Sequence, residues 1–188
     1  MNDRIICFDV ETTGLDPKND EILQLSIIDG NKNTLFNEYF KPERMKLWDQ
    51  AQKVHGISPS IVSNKKSFKD YLKIIQGIFD NANIIIGYNV GFDIEFLEEH
   101  GINLDKEYEI FDVMLEFAEI YGEWSDYFEN YKWQKLTTCA TYYEYKFDAH
   151  DSLEDVKATL HCYYKILENE KNKELEMEGV IKWNVISM

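Results

Sequence analysis

Three stretches near the start of the chain have hydrophobic patterns typical of β-strands: an apolar run, and then two stretches in which hydrophobic and polar residues alternate loosely with a period of two. These stretches are the run that begins at Ile5, residues 21–30 and residues 34–40. The second ends in Asp29-Gly30 and the third is followed by Pro42, and these residue types favour turns and strand ends. The pattern therefore predicts three consecutive strands arranged as a meander.

Apolar residues recur every three or four positions in residues 67–79, which predicts an amphipathic helix. The β-branched run Ile84-Ile85-Ile86 is typical of a fully buried strand flanked by helices. Further helical patterns cover residues 92–99, 113–121, 136–143 and 153–167, and a short strand is predicted at 108–111. The order of these elements predicts an α/β fold with a mixed sheet covered by helices.

Length and composition are those of one packed domain. The 188 residues are 44% hydrophobic and 14% aromatic, which is too rich for a disordered chain. No apolar run approaches the roughly 20 residues of a membrane span, and no secretory signal is visible at the N-terminus. Cys7, Cys139 and Cys162 are far apart and lack metal-ligand spacing, so we predict reduced, buried thiols, a cytoplasmic location and no membrane contact.

The formal net charge of −15 is the most unusual bulk property. Proteins that hold nucleic acid through its phosphates usually carry a basic face, so the charge taken alone argues against such a partner. A site that recruits divalent cations reverses the sign locally, because it brings its own positive charge.

Two carboxylates, Asp9 and Glu11, come at the end of the first apolar run. Side chains alternate faces in a strand, so these two acids point to the same side. Like charges beside a core are unfavourable unless something positive lies between them, and a hard divalent cation meets that need. The alternative is that the strand ends at Phe8 and both acids face water ahead of a turn at Thr12-Thr13-Gly14.

A third acid, Asp93, follows the predicted strand at 84–86, where a helix begins. Asn89 is placed to cap this helix, and Asp93 would lie in its first turn. Taken alone, the segment is also explained as a capped helix whose acid complements the helix dipole.

His150 and Asp155 stand at the start of the last long helical pattern. Ser152 with Asp155, or Asp151 with Glu154, has the spacing of a capping box, which explains the acids as helix initiation. On one continuous helix His150 and Asp155 would lie about 140° apart around the axis. They can serve one site only if His150 lies in the loop before the helix, and the capping signals predict that arrangement.

Three segments of the chain resemble, in order, the three motifs of the DEDDh 3′-to-5′ exonucleases. They are Asp9-Val10-Glu11-Thr12-Thr13-Gly14-Leu15, the segment from Asn89 to Asp93, and His150 with Asp155. This superfamily includes the proofreading subunit of bacterial DNA polymerase III and ribonuclease T. Val54-His55-Gly56-Ile57 is similar to a segment that many members carry between the first two motifs. The resemblance covers about residues 5–167, and it implies a ribonuclease H-like fold, a mixed five-stranded sheet with helices on both faces.

Two positions depart from the family pattern. Tyr88 stands where many members have a histidine, and Ser152 stands where a small alanine is usual. Neither departure removes a metal ligand.

The resemblance implies a 3′-to-5′ exonuclease that hydrolyses the terminal phosphodiester bonds of single-stranded DNA, RNA or both and releases nucleoside monophosphates. His150 would be the general base that takes a proton from the attacking water. Thr12 and His55 match positions that bind the terminal nucleotide. The cofactors would be two divalent cations, Mg²⁺ or Mn²⁺. The residues that would hold the cations are Asp9, Glu11, Asp93 and Asp155.

Two other classes of function remain open at this point. One is a catalytically inactive nucleic-acid-binding or scaffold module of the same fold, although the complete set of acids speaks against it. The other is an acidic protein that binds divalent ions structurally, which leaves the ordered motifs unexplained. Residues 1–170 are predicted to form the exonuclease domain. Residues 171–188 would be a tail of unknown role: a frayed helix end, a docking strand, or a segment that binds a polymerase or another protein.

Aromatic residues are dense between Tyr121 and Trp133, with Lys132 and Lys135 beside them. Bases of a single strand can stack on such rings, while ordinary core packing is the other interpretation. Lys65, Lys69 and Lys73 are spaced one turn apart along a predicted helix, and the favoured interpretation is a solvated helix face.

Overall fold

The computed structural model describes residues 4–186, and the side chains as far as residue 172. The first three strands form the predicted antiparallel meander, and two further strands pair in parallel on the other side of the first. The sheet has the order β3-β2-β1-β4-β5, which confirms the mixed five-stranded sheet. The strands are β1 (Ile5–Thr12), β2 (Ile22–Asp29), β3 (Thr34–Tyr39), β4 (Ile84–Gly87) and β5 (Glu109–Asp112).

Seven α-helices surround the sheet within the described part of the chain. They are α1 (Asp49–His55), α2 (Pro59–Val62), α3 (Leu72–Asn81), α4 (Val90–Glu99), α5 (Val113–Tyr121), α6 (Leu136–Tyr142) and α7 (Ser152–Ile186). A 3₁₀ turn, Phe68–Tyr71, leads into α3 and is started by a capping box of Ser67 and Asp70. A two-stranded hairpin, β6 (Trp124–Ser125) and β7 (Asn130–Tyr131), connects α5 to α6.

The two faces of the sheet bury separate cores because side chains alternate along β1. Ile6, Phe8 and Val10 belong to a core shared with α3 and α4. Cys7 points the other way, into a core that contains residues of α5, α6 and α7. This arrangement confirms helices on both faces. All three cysteines are buried and free, as predicted.

The patterns missed two kinds of element. Helices α1 and α2 are short, and α1 buries none of its residues, so neither produces a readable amphipathic period. The β6–β7 hairpin has strands of two residues, too short for visible alternation.

Helix α7 is longer than the predicted 153–167. Its backbone stays helical through the charged stretch that follows, which is rich in the helix formers Glu and Lys and includes the ion pair Lys165–Glu168 at 2.7 Å. The proposed tail therefore continues α7 as far as Ile186, and Ser187 and Met188 lie outside the described residues. In the range 4–186, no helix is both long and apolar enough to span a membrane.

Candidate active site

Asp9 and Glu11 lie inside β1, which continues to Thr12. The interpretation that the strand ends at Phe8 is therefore wrong. The register pairs Asp9 with Ser26 and Glu11 with Gln24, so both acids are on the sheet face that α7 covers. Carboxylate oxygens of Asp9, Glu11 and Asp155 all lie within 4.8 Å of one another. We call these three residues the carboxylate cluster.

Asp155 reaches the cluster from the first turn of α7. The carboxylate of Asp151 starts this helix, because it accepts the backbone N–H groups of Leu153 and Glu154 at 3.1 and 3.3 Å. Ser152 has a different role, since its hydroxyl pairs with the hydroxyl of Ser26 on β2 at 2.6 Å, with both side chains buried. This contact joins the start of α7 to the sheet and accounts for a serine at the position of the usual alanine.

Asp93 approaches β1 from the first turn of α4, as predicted. Strand β4 pairs with β1 only as far as Cys7, so the backbone N–H of Val10 is left without a strand partner on that side. The Asp93 Oδ1 accepts this N–H at 3.2 Å, and the side chain is 3% exposed. Asp93 thus contacts β1 at the residue after Asp9, but it is not one of the three residues whose oxygens lie within 4.8 Å.

Asn89 stands at the N-cap of α4 in a left-handed conformation, with φ 62°. Its side chain makes no capping hydrogen bond within the described chain, so the predicted capping role is wrong. The backbone N–H groups of Asn89 and Val90 instead donate to the carboxylate of Asp112, each at 3.0 Å. Asp112 also caps α5 by accepting from Met114 N–H. Sequence reasoning missed Asp112, although an acid between a strand and a helix is a readable cap signal.

Burial dominates the electrostatics of the cluster. It raises the pKa of Asp9 and of Asp93 well above the ordinary value of an aspartate, and the charge of Asp93 adds to the shift at Asp9. Burial, followed by the charge of Asp155, raises the pKa of Glu11 to about 8. Burial also raises the pKa of Asp155 to about 7. The metal-free site therefore holds protons that carboxylates in water release.

The carboxylate set fits divalent cations. Asp9 Oδ2 is inaccessible to solvent and has no hydrogen-bond partner among the described residues. No carboxylate of the cluster forms an ion pair with any described residue. Closely spaced, unpaired carboxylate oxygens are the ligands that Mg²⁺ and Mn²⁺ prefer.

His150 lies in the loop before α7, as the capping signals predict. It is exposed, and its backbone has a φ of 73°, in the left-handed region. Its backbone N–H donates to both carboxylate oxygens of Asp155, at 3.3 and 3.1 Å. The backbone of His150 is therefore bonded to the carboxylate cluster through Asp155, while the residue as a whole is exposed to solvent.

His55, at the end of α1, contacts the first motif directly. Its Nδ1 accepts the backbone N–H of Ile57 at 3.0 Å, so in the neutral ring the proton is on Nε2. Nε2 then donates to the carbonyl of Thr12 at 3.1 Å. Burial lowers the pKa of His55, and the nearby His150 adds to that shift. The structure thus brings the two predicted substrate-binding residues into contact.

Tyr88, the other departure from the family pattern, is turned away to a neighbouring loop. Its hydroxyl donates to the carbonyl of Gln134 at 2.7 Å, and burial raises the pKa of this hydroxyl. Tyr88 therefore anchors the segment between β7 and α6 against the start of α4.

Most of the aromatic residues from Tyr121 to Trp133 are on the surface, so core packing does not explain them. Tyr127 is 87% exposed and Phe128 74%, and Trp124 and Trp133 are also exposed. Stacking of bases on these rings stays a prediction. Lys65, Lys69 and Lys73 do not lie on one helix, because Lys65 is in a bend before the 3₁₀ turn. Lys69 forms an ion pair with Glu43 at 2.6 Å.

Comparisons with known proteins agree with this geometry. A family model described as Exonuclease matches residues 6–163. The PolC-type DNA polymerase III of Caldanaerobacter subterraneus is 26% identical over an alignment that covers all of this chain and 13% of that protein. The DNA polymerase III subunit epsilon of Buchnera aphidicola (Schizaphis graminum) is 34% identical over 55% of this chain and 48% of the subunit. The chain thus spans half or less of the length of these relatives.

Two solved structures share the fold. E. coli exonuclease I, in a zinc-bound complex with single-stranded DNA, superposes with a TM-score of 0.71 at 20% identity, over 94% of this chain and 43% of that one. Exonuclease X, in complex with a duplex DNA that has a 5′ overhang, superposes with a TM-score of 0.65 at 16% identity, over 88% and 92% of the two chains.

Proposed function

Since this chain belongs to the exonuclease family, we propose that it removes nucleotides from the 3′ end of single-stranded nucleic acid by a two-metal hydrolysis. The observation that carries the proposal is the carboxylate cluster, whose oxygens lie within 4.8 Å and include the buried, unpartnered Asp9 Oδ2. Burying like charges together is costly for folding, and cation binding is the function that requires it.

We propose that the cations are Mg²⁺ or Mn²⁺ and that the carboxylate cluster and Asp93 hold them. When bound, two such cations lower the pKa of water and neutralise the charge that develops on the phosphate and the leaving oxygen. Asp93 supports the site in a second way, because its hydrogen bond to Val10 N–H fixes the end of β1 that carries the other acids.

His150 is the proposed general base. A base must reach the attacking water in line with the scissile bond, and an exposed histidine whose backbone is bonded to Asp155 is suited to that task. Its loop is tied to Asp155 through the backbone N–H, so the same carboxylate positions the base and contributes a ligand oxygen.

Thr12 and His55 are proposed to bind the terminal nucleotide. The Thr12 hydroxyl donates to the carbonyl of Gly14 at 2.6 Å, and its own carbonyl is held by His55. These contacts fix the backbone next to Glu11, which supports the proposal that the last nucleotide of a strand binds here.

DNA is the substrate that we propose first. The relatives named above are DNA polymerase III proteins, and the two structural neighbours named above were solved in complex with DNA. A polymerase partner bound through the C-terminal part of α7 and a cytoplasmic location stay predictions.

The test is degradation of a 5′-labelled single-stranded DNA and the matching RNA, with Mg²⁺, with Mn²⁺ and with EDTA. Wild type is expected to give a ladder that shortens from the 3′ end, and both EDTA and Asp9→Asn should abolish it. Glu154→Gln is the matched control, since this acid lies one residue from Asp155 but pairs with Lys157 at 2.8 Å. Failure to cut either strand with both metals would overturn the proposal and favour the inactive binding module.

A further inference from the structure

Charge is distributed unevenly along this acidic chain. Residues 41–73 contain eight Lys and Arg against three Asp and Glu, a net charge of +5. The rest of the chain holds twelve Lys and Arg (20 less 8) and thirty-two Asp and Glu (35 less 3), a net charge of −20. We call residues 41–73 the basic segment. Its eight cations are all exposed: Lys41, Arg44, Lys46, Lys53, Lys65, Lys66, Lys69 and Lys73.

The charges of the basic segment are mostly left without an anionic partner. Lys69 pairs with Glu43, and the other seven cations form no ion pair with any residue in the described part of the chain. In a protein of net charge −15, exposed cations should readily find acids of their own chain. Because the cations of the basic segment stay away from the acids of their own chain, they are suited to bind an anion of another molecule.

The basic segment is also continuous with the catalytic edge of the sheet. His55 belongs to it and holds the carbonyl of Thr12. Lys65 Nζ lies 5.8 Å from the ring centroid of Tyr39, and the Tyr39 hydroxyl donates to Asp151 Oδ2 at 3.5 Å, one residue after His150. Two separate contacts thus connect this segment to the residues around the carboxylate cluster.

We propose that the basic segment binds the phosphates of the nucleotides that precede the terminal one in a single strand. The inference rests on the proposed function, which places the 3′ end of the strand at the carboxylate cluster. An overall negative protein repels a polyanion, so a local positive track beside the site lets a strand approach without a basic protein surface. In this proposal the basic segment makes longer strands bind more tightly through their phosphates, while the carboxylate cluster performs the cleavage.

The test compares two double variants with the same change in net charge. Lys53→Gln/Lys65→Gln removes two exposed cations of the basic segment. Lys32→Asn/Lys171→Gln removes two exposed cations elsewhere, one in the turn between β2 and β3 and one far along α7, and asparagine tolerates the positive φ of position 32. KM and kcat are measured on a long single strand and on a dinucleotide, over roughly 50 to 200 mM salt.

For the basic-segment variant we expect KM on the long strand to rise on the order of tenfold at low salt, and the slope of log KM against log salt to fall by about 1.4. Cleavage of the dinucleotide should stay unchanged, because it has no upstream phosphates. The control variant should match wild type on both substrates. Long-strand KM and salt slope that are equal in the two variants would overturn the proposal.

A binding measurement separates this inference from the proposed function. Fluorescence anisotropy of a labelled strand is measured with each double variant in the Asp9→Asn background, so cleavage does not intervene. Weaker binding by the basic-segment variant alone supports the phosphate track even if wild type proves not to be a nuclease. Equal binding by both variants contradicts the track even if wild type cleaves DNA, and would leave the segment to an acidic protein partner.

Discussion

The carboxylate cluster and the basic segment are neighbouring regions of opposite charge, and they differ in how each charge is accommodated. The carboxylates are largely buried, and burial raises the pKa of each. The lysines of the basic segment are exposed and hydrated. Neither region neutralises itself: within the described chain the cluster has no ion pair and the segment has one. Cations would satisfy the first and phosphates the second, and the end of a nucleic acid strand with its metal ions supplies both.

The comparison also shows why net charge is a weak guide to the partner of this protein. The value of −15 taken alone argues against nucleic acid, yet it averages a +5 segment beside the site with a −20 remainder. The contacts of His55 and Lys65 show that part of this positive segment lies near the residues around the cluster.

The largest expected effect comes from removing one charge of the cluster. Asp9→Asn should lower kcat/KM on the order of 10³-fold or more, because an amide is a poor ligand for a hard cation. The free energy of unfolding in EDTA should not fall, since the amide is neutral without having to hold the proton that burial imposes on Asp9. Steady-state kinetics and urea unfolding measure the two effects. Activity close to that of wild type would contradict the role of the carboxylate cluster in binding the cations.

The next effect concerns the base. His150→Asn should lower kcat by about 10²-fold, while asparagine accepts the left-handed backbone at this position. The variant should also lose the rise of rate with pH that a histidine base produces. Mn²⁺ affinity should stay within a few fold of wild type. A pH–rate profile with the same shape as wild type would exclude His150 as the base.

The stability of the metal-free protein should depend on pH through Glu11. Its pKa is about 8 in the folded protein against an ordinary 4.5, so between these values the folded state keeps a proton that the unfolded state has lost. The free energy of unfolding should therefore fall as pH rises through this window, by at most about 1.4 kcal/mol per pH unit for this group.

Urea unfolding in EDTA and in Mg²⁺ between pH about 5 and about 8 measures this dependence. Mg²⁺ should flatten the curve, because a cation favours the ionised carboxylates. Glu11→Gln should flatten it without metal. A stability that rises with pH in EDTA would contradict the assigned direction.

The smallest expected effect concerns the hydrogen bond that holds the start of α7, and with it Asp155, against the sheet. Ser152→Ala should lower stability by about 1 kcal/mol, since the Ser26 hydroxyl keeps its second contact with Asn37 at 3.0 Å. A double-mutant cycle with Ser26→Ala should show a coupling of similar size. Strictly additive single variants would mean that the hydroxyl pair does not hold α7 to the sheet.

The sequence was sufficient for the parts of the fold that follow local periodicity. The meander, the buried strand at Ile84 and the placement of His150 before α7 are confirmed because alternation, β-branching and capping signals are local. The bond between Ser26 and Ser152 joins residues far apart in the chain, and the surface position of Trp124 and Tyr127 depends on a hairpin with two-residue strands. Local patterns of residues along the sequence do not predict contacts of these kinds.

Calorimetric titration of the protein with Mn²⁺ near neutral pH, in two buffers of different ionisation enthalpy, tests the central claim most directly. We predict that two Mn²⁺ ions bind when a nucleoside monophosphate is present. Binding should release protons, because the cations displace those held by the raised pKa values of the cluster. Asp9→Asn should lose this signal, and Glu154→Gln should keep it. Absence of Mn²⁺ binding, or equal binding and proton release in Asp9→Asn, would contradict the account.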